Sequence, residues 1–191
     1  MTATLRTAVD LCWLIFIVVW VIASASAKRT VSRPGNQVLY RVFWLAGFGS
    51  LYLSRPRRRS IPLLSRPVAH VGGGVAGLGL VIVLGGLALA FWARATLGGN
   101  WSGTITLKEN HTLVQSGPYG IVRHPIYTAI LAMFLGSAIT YGTRGAFLAF
   151  PVCAVGFILK ARQEEALMQQ TFPDAYPDYR TRTKMLVPGI Y

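Results

Sequence analysis

Five apolar runs, separated by short basic or glycine- and proline-containing loops, organise this chain. The first, Ala8 to Ala27, has about the ~20 residues that a bilayer core requires. Asp10 near its start reads as interfacial. The second, Val38 to Leu53, is shorter and carries Arg41. An arginine at mid-bilayer would cost roughly 2.5–3.5 kcal/mol, so Arg41 is placed near the helix end, its head snorkelling outward. The third, Val68 to Trp92, is rich in glycine. Ile126 to Tyr141 and Ala146 to Leu159 follow, joined by a tight turn through Gly142-Thr143-Arg144-Gly145, with Pro151 as an expected kink. The pair reads as a helical hairpin whose last helix continues past the hydrocarbon. KARQEEALMQQTF from Lys160 holds good helix formers and stops before Pro173.

The stretch from Trp101 to Tyr127 breaks this apolar pattern. It carries two of the three histidines, His111 and His124, and sets Arg123 and His124 directly before Pro125. Proline suits the first turn of a helix, where its missing N–H would be unbonded anyway. Two basic side chains therefore stand at a helix N-terminus, whose free N–H groups and dipole already favour an anion. The expected architecture is an all-α integral membrane protein of about five transmembrane helices, the last two a helical hairpin. A cytoplasmic loop and the C-terminal tail form a cofactor site. Residues 1–191 read as a single domain, with its motif region at 97–191.

Composition agrees. The chain is 53% hydrophobic and 13% charged, with mean hydropathy +0.47, values of a membrane protein rather than a soluble globule. The net charge of +13 would suggest nucleic acid in a soluble protein. Here the basic residues lie in loops between apolar runs, which points to anionic lipid headgroups and topology, with no nucleic-acid partner. Cys12 and Cys153 lie far apart in apolar runs and read as packing residues. No metal-ligand spacing occurs, and no metal is expected. The N-terminal run is too long for a signal h-region and does not read as a cleaved signal. Gly72 to Gly77 fits GxGxxG by letter, yet no strand is expected before it, and the next acidic residue is Glu109, so a dinucleotide fingerprint is rejected. Gly73 and Gly77 also make GxxxG, which lets helices approach closely in lipid.

With five spans, the third loop and the tail share a face. Seven basic residues fall on the N-terminal side and eleven on the other, which favours a cytoplasmic third loop and tail. The arginine cluster of the second loop, Arg55 to Arg66, opposes that assignment. On the shared face Arg123, His124 and Tyr127 meet Lys160, Arg162, Glu164 and Glu165. His124 and Tyr127 are three apart, and Lys160 and Glu164 four apart, so each pair shares a helix face.

These residues carry a resemblance. LGGNWS (Leu97 to Ser102), HTLVQSGPYGIVRHPIY (His111 to Tyr127), the Glu164-Glu165 pair, and Phe172, Tyr176, Tyr179 and Pro188 resemble the isoprenylcysteine carboxyl methyltransferases. That family consists of integral membrane enzymes that use S-adenosylmethionine. Phospholipid N-methyltransferases and membrane sterol reductases share a looser version of the Arg-His-Pro region. The resemblance implies cofactor contacts at His111, Thr112, Leu113, Val114, Tyr119, His124, Pro125, Ile126, Tyr127 and Glu164. It implies a substrate-side cation at Lys160, where the family has arginine, with Arg162 as the alternative. Lysine lacks the planar fork that grips a carboxylate with two bonds. Arg123 and His124 are assigned to the cofactor carboxylate.

The implied activity is methyl transfer to a lipophilic acceptor, a small molecule or a prenylated chain end. The acceptor group is foremost a carboxylate; an amine, a phospholipid headgroup or a thiol is the alternative. A nicotinamide-dependent membrane reductase is a further reading, against which the Glu164-Glu165 pair argues. A lipid-side entrance is expected between the last two spans and the earlier ones. The expected setting is the cytoplasmic (inner) membrane, with the site facing the cytoplasm.

Overall fold

The computed structural model describes residues 1–25, 30–32, 38–55, 61–68, 70–101, 107–108 and 112–190. Seven helices are found among them: α1 (Thr2–Ser24), α2 (Val38–Leu53), α3 (Pro62–Ser65), α4 (Gly73–Leu97), α5 (Pro125–Tyr141), α6 (Arg144–Thr171) and α7 (Ala175–Arg182). Two short strands, β1 (Thr30–Ser32) and β2 (Leu107–Lys108), pair antiparallel. Helices α1, α4 and α6 are long and apolar enough to cross a membrane, while α2 and α5 are shorter apolar helices. At 1.5 Å per residue the short pair reach roughly 24–26 Å, just under a ~30 Å hydrocarbon core. The protein is an all-helical integral membrane protein, as its hydropathy pattern predicts.

The boundaries of α2 fall where the sequence puts them. The first helix begins earlier than expected and α4 is shifted about one turn later, because glycine and polar residues at the ends of an apolar run carry no sharp stop. Pro125 is the first residue of α5, as its fixed φ favours. Gly142 closes α5 in the left-handed region at φ 65°, its N–H donating to Ala138 O at 2.9 Å. Thr143 alone then separates it from α6, so Arg144 and Gly145 belong to the helix rather than to the turn. Helix α6 runs on through Pro151 and past Lys160 to Thr171.

Small residues let α4 and α5 approach closely. A Cβ at Gly86 would lie 2.7 Å from Ala129 O, and one at Gly136 2.5 Å from Gly79 O. Lipid gives no hydrophobic drive between helices, so this close dispersion packing is the adhesive. A hydrogen bond adds to it, Thr140 Oγ1 donating to Ala76 O at 3.2 Å, and Trp13 Nε1 of α1 donates to Ser137 Oγ of α5 at 2.9 Å. The expected Gly73/Gly77 pair does not carry the interface, since a Cβ at Gly77 would meet nothing within 4 Å. The contact face of α4 follows Gly79 and Gly86, one heptad apart, because the helix is turned differently about its axis.

The loops alternate between two faces. The N-terminus and the second and fourth loops meet on one: Arg6 Nη2 donates to Tyr141 O at 3.2 Å, Arg144 N to Arg66 O at 3.0 Å, and Val68 N to Gly142 O at 2.7 Å. Asp10 is held there by Arg55 at 2.9 Å and by the Tyr141 hydroxyl at 2.5 Å. That employs one member of the second-loop arginine cluster; Arg57, Arg58 and Arg59 lie outside the described residues. On the other face β1 pairs with β2, joining the first loop to the third, and Val122 pairs with Lys184 of the tail. The alternation is that of five crossings.

Candidate active site

Loop and tail are stitched together just before α5. Arg123 N donates to Lys184 O at 2.8 Å and His124 N to Met185 O at 3.1 Å. Thr128 Oγ1 donates to Leu186 O at 2.6 Å, and the Tyr179 hydroxyl to Tyr119 O at 2.7 Å. The guanidinium of Arg123 donates to Arg180 O at 3.3 Å and also to Thr183 O. Tyr119 lies in a short 3-10 turn, Gly117–Gly120, entered through Gly117 at φ 58°. Only glycine takes that φ without strain.

The charged groups form one cluster where α6 passes this loop. Glu165 accepts from Arg123 Nε at 2.7 Å and lies 3.2 Å from His124 Nε2. Glu164 lies 3.5 Å from His124 Nδ1 and 3.5 Å from Lys160 Nζ. The Tyr127 hydroxyl stands 2.7 and 2.6 Å from the two Glu164 oxygens. The rings of His124 and Tyr127 stack at 5.2 Å with planes 3° apart, as their spacing predicts. Lys160 is 2% exposed, its ammonium 4.8 Å from the Trp44 ring centroid, 5.3 Å from Tyr127 and 5.7 Å from Tyr40. Cation–π attraction and Glu164 together compensate its burial.

Two sequence assignments change here. The anion that Arg123 and His124 receive is Glu165 of the chain itself, and Arg123 also spends N–H groups on tail carbonyls. Those bonds tie the tail to the loop and to α6. Arg162 is exposed and does not line the cavity described below, since it lies two residues from Lys160 and so across the helix. His111 lies outside the described residues. The pairing of Glu165 with Arg123 in particular, and the Tyr40–Trp44 cage, were not assigned from the sequence. The only signals were a second carboxylate beside Glu164 and two aromatics four apart on α2.

A cavity of about 360 Å³ opens beside this cluster. Thr112, Leu113, Val114, Tyr119, Arg123, His124, Ile126, Tyr127, Lys160 and Glu164 line it. Pro125 is buried beneath it and shapes the helix start instead. Asn100 joins α4 to the loop through Nδ2 donating to Thr112 Oγ1 at 2.8 Å. Burial raises the Tyr119 phenol far above its ordinary range, with the charge of Glu164 adding to the effect. Burial also raises Tyr176, and pushes Tyr179 up to about 12. All three remain neutral hydroxyls at physiological pH.

Much of the remaining lining is aromatic, with Phe16 and Trp20 from α1, Trp44 and Phe48 from α2, and Phe157 from α6, and the apolar Leu97, Ile130, Leu167 and Met168 join it. Helix α1 packs on α4 and α5, while α2 packs on α6. The two touch through side chains, Trp13 against Phe48 at 5.5 Å. The cavity thus lies between α1 and α2 on one side and the α5–α6 hairpin on the other. At the cavity's upper edge Arg94 donates to Gly98 O at 2.7 Å and to Ala23 O at 2.5 Å, and lies over Trp101 at 4.8 Å. It pins the end of α1 to the loop, a cation at a helix C-terminus.

The model of the phospholipid methyltransferase family matches residues 75–175, from α4 to the start of α7. The chain belongs to that family. The resemblance to the isoprenylcysteine carboxyl methyltransferases is also borne out. The protein-S-isoprenylcysteine O-methyltransferase of Xenopus laevis is 28% identical over 123 residues, covering 59% of this chain and 40% of that protein. Form B from Arabidopsis thaliana is 29% identical over 119 residues, 61% of this chain and 60% of that one. The cobalt-zinc-cadmium resistance protein CzcN of Cupriavidus metallidurans is 32% identical over 113 residues, 58% and 50%. The chain thus spans about half the length of the curated relatives it matches. The solved eukaryotic intramembrane Ras methyltransferase ICMT shares the fold, with a TM-score of 0.53 at 20% identity over 82% of this chain and 55% of that one. The part of this phospholipid methyltransferase family member that the family model matches holds the loop, α5 and α6, where the charged cluster lies.

Proposed function

We propose that the protein catalyses S-adenosylmethionine-dependent methyl transfer to a lipophilic acceptor, foremost a carboxylate of the isoprenylcysteine kind. The observation that carries this reading is the cavity that joins the Glu164–Tyr127–His124–Lys160 cluster to an aromatic lobe among α1, α2 and α6. Membership of a methyltransferase family supports it, as do relatives named for isoprenylcysteine O-methylation. The cavity volume lies within the roughly 300–1,000 Å³ of small-molecule sites.

The residues fit such a cofactor. Glu164, held by the Tyr127 hydroxyl, accepts hydrogen bonds from an ammonium or from ribose hydroxyls. Asn100 and the segment from Thr112 to Val114 offer polar edges, and Tyr119 and Ile126 offer apolar faces. The bound cofactor supplies a methyl group on a positively charged sulfur. The aromatic faces that surround Lys160 also suit a sulfonium, as they suit other soft cations. Lys160 receives the negative charge of the acceptor, and its aromatic cage fixes the ammonium in place. An acceptor carboxylate is already ionised at pH 7, so no residue has to remove a proton. Acceleration comes from positioning, worth roughly 7–11 kcal/mol at best. The loop and tail, closed on each other by the hydrogen bonds around Arg123, keep water from the reacting groups. In this reading the site faces the cytoplasm from the inner membrane.

The test is cheap. S-adenosylhomocysteine should raise the melting temperature of the detergent-solubilised protein, and NADPH should not. Labelled methyl should then pass to extracted membrane lipids or proteins. Stabilisation by NADPH alone would replace the proposal with the reductase reading.

A further inference from the structure

The aromatic lobe ends in a wall. Phe48, in the middle of α2, lines the cavity, and its ring lies 4.8 Å from Phe134 and 5.5 Å from Trp13. Those two rings pack on each other at 5.1 Å. Phe134 is fully buried, and Trp13 is tied to Ser137 by its indole N–H at 2.9 Å. Neither can yield without breaking a buried hydrogen bond or opening a void, and close-packed interiors resist both. Phe48 stands ten residues from the start of α2, so the wall lies roughly 15 Å below the loop layer.

We infer that Phe48, backed by Trp13 and Phe134, is the specificity-determining stop that limits the length of hydrocarbon chain the acceptor can carry. This rests on the reading that the lobe receives the acceptor's apolar part. Each methylene that enters the lobe improves binding by about fourfold. Once the chain meets Phe48 the next carbon gains nothing, and it must bend back against Trp44 and Phe16. Selectivity then comes from the wall rather than from the charged cluster, which sees the same head group in every acceptor.

The experiment uses the full chain in phosphatidylcholine nanodiscs and a series of S-n-alkyl mercaptoacetic acids, thioethers with a free carboxylate, of rising chain length. One set carries a terminal diazirine, is photolysed, and is mapped by peptide mass spectrometry. A plain set is tested for uptake of labelled methyl from S-adenosylmethionine. The longest chain that enters should place its adduct on Phe48. In Phe48→Ala the longer chains should label Trp13 and Phe134, and the cut-off in methyl uptake should move to longer chains. Phe48→Trp should move it to shorter ones, and Phe48→Leu serves if the alanine variant does not fold. A cut-off unmoved in these variants overturns the inference. So do adducts spread over the lipid-facing Leu14 and Val18 at every length. Absent methyl uptake with the adduct pattern intact would overturn the methyltransferase reading and still support the stop.

Discussion

Glu165→Ala is the perturbation that the charged cluster makes most informative. The Glu165 side chain is 8% exposed, as is that of Arg123, and the two are 2.7 Å apart. Its other contacts are His124 at 3.2 Å and Arg180 at 4.0 Å. Removing it leaves a guanidinium buried with only carbonyl oxygens from the tail. Breaking a buried pair from one side costs about 3–5 kcal/mol, most of it the stranded charge. For a chain of this size each kcal/mol lowers the melting temperature by about 2–4 °C, so the shift should be on the order of 10 °C. Substituting both partners by methionine removes the stranded charge and should recover more than half of that loss. The assay is thermal unfolding of detergent-solubilised wild type, Glu165→Ala, Arg123→Met and the double variant. Hydrogen exchange at the Arg123 and His124 amides gives a local readout, because those N–H groups bond to Lys184 and Met185 of the tail. Additive effects of the two single substitutions, or unchanged exchange at those amides, would refute the claim that this pair locks the tail onto the loop.

Three further outcomes follow from the same geometry. Tyr127→Phe removes the hydroxyl from Glu164, a charge-assisted bond of about 1.5–3 kcal/mol, and should weaken S-adenosylhomocysteine binding by ten-fold or more in calorimetry. Lys160→Met should abolish methyl transfer while leaving cofactor binding measurable, whereas Arg162→Ala should leave both near wild type. Gly86→Ala and Gly136→Ala each drive a Cβ into backbone less than 3 Å away and should cost about 1–3 kcal/mol in thermal stability, while Gly77→Ala, with open space around it, should cost none.

Much of the frame was legible because lipid imposes so few solutions. An apolar run of the right length must be a helix, and loops then alternate between faces by parity. The helix start at Pro125 and the pairings of His124 with Tyr127 and of Lys160 with Glu164 follow from local rules of the same kind. What sequence could not supply was rotation and partnership. Gly73/Gly77 makes GxxxG whereas Gly79 and Gly86 stand a heptad apart, and only the packed bundle shows which pair faces α5. Arg123 and His124 do attract an anion, as a basic helix start should. The sequence put both carboxylates on the same face, yet it did not show that Glu165 would take Arg123 while Glu164 stays beside Lys160.

The placement of the site follows from the unequal arms of the hairpin. Pro125 stands seventeen residues before the turn on α5, the whole length of that helix, and Lys160 stands seventeen residues after the turn on α6. In antiparallel helices joined so tightly, these two positions are level. The remaining residues of α6 therefore rise past the end of α5 by roughly 16 Å. That overhang is the wall on which the third loop and the tail fold. It carries Glu164 and Glu165 one turn above Lys160, facing the loop's Arg123 and His124. Below that level every side chain must satisfy lipid or a packed interior, which is why the lobe is aromatic. Above it polar backbone is allowed. A cavity crossing that boundary can bring a charged donor and a greasy acceptor to one place, and the difference in length between two adjacent helices creates it.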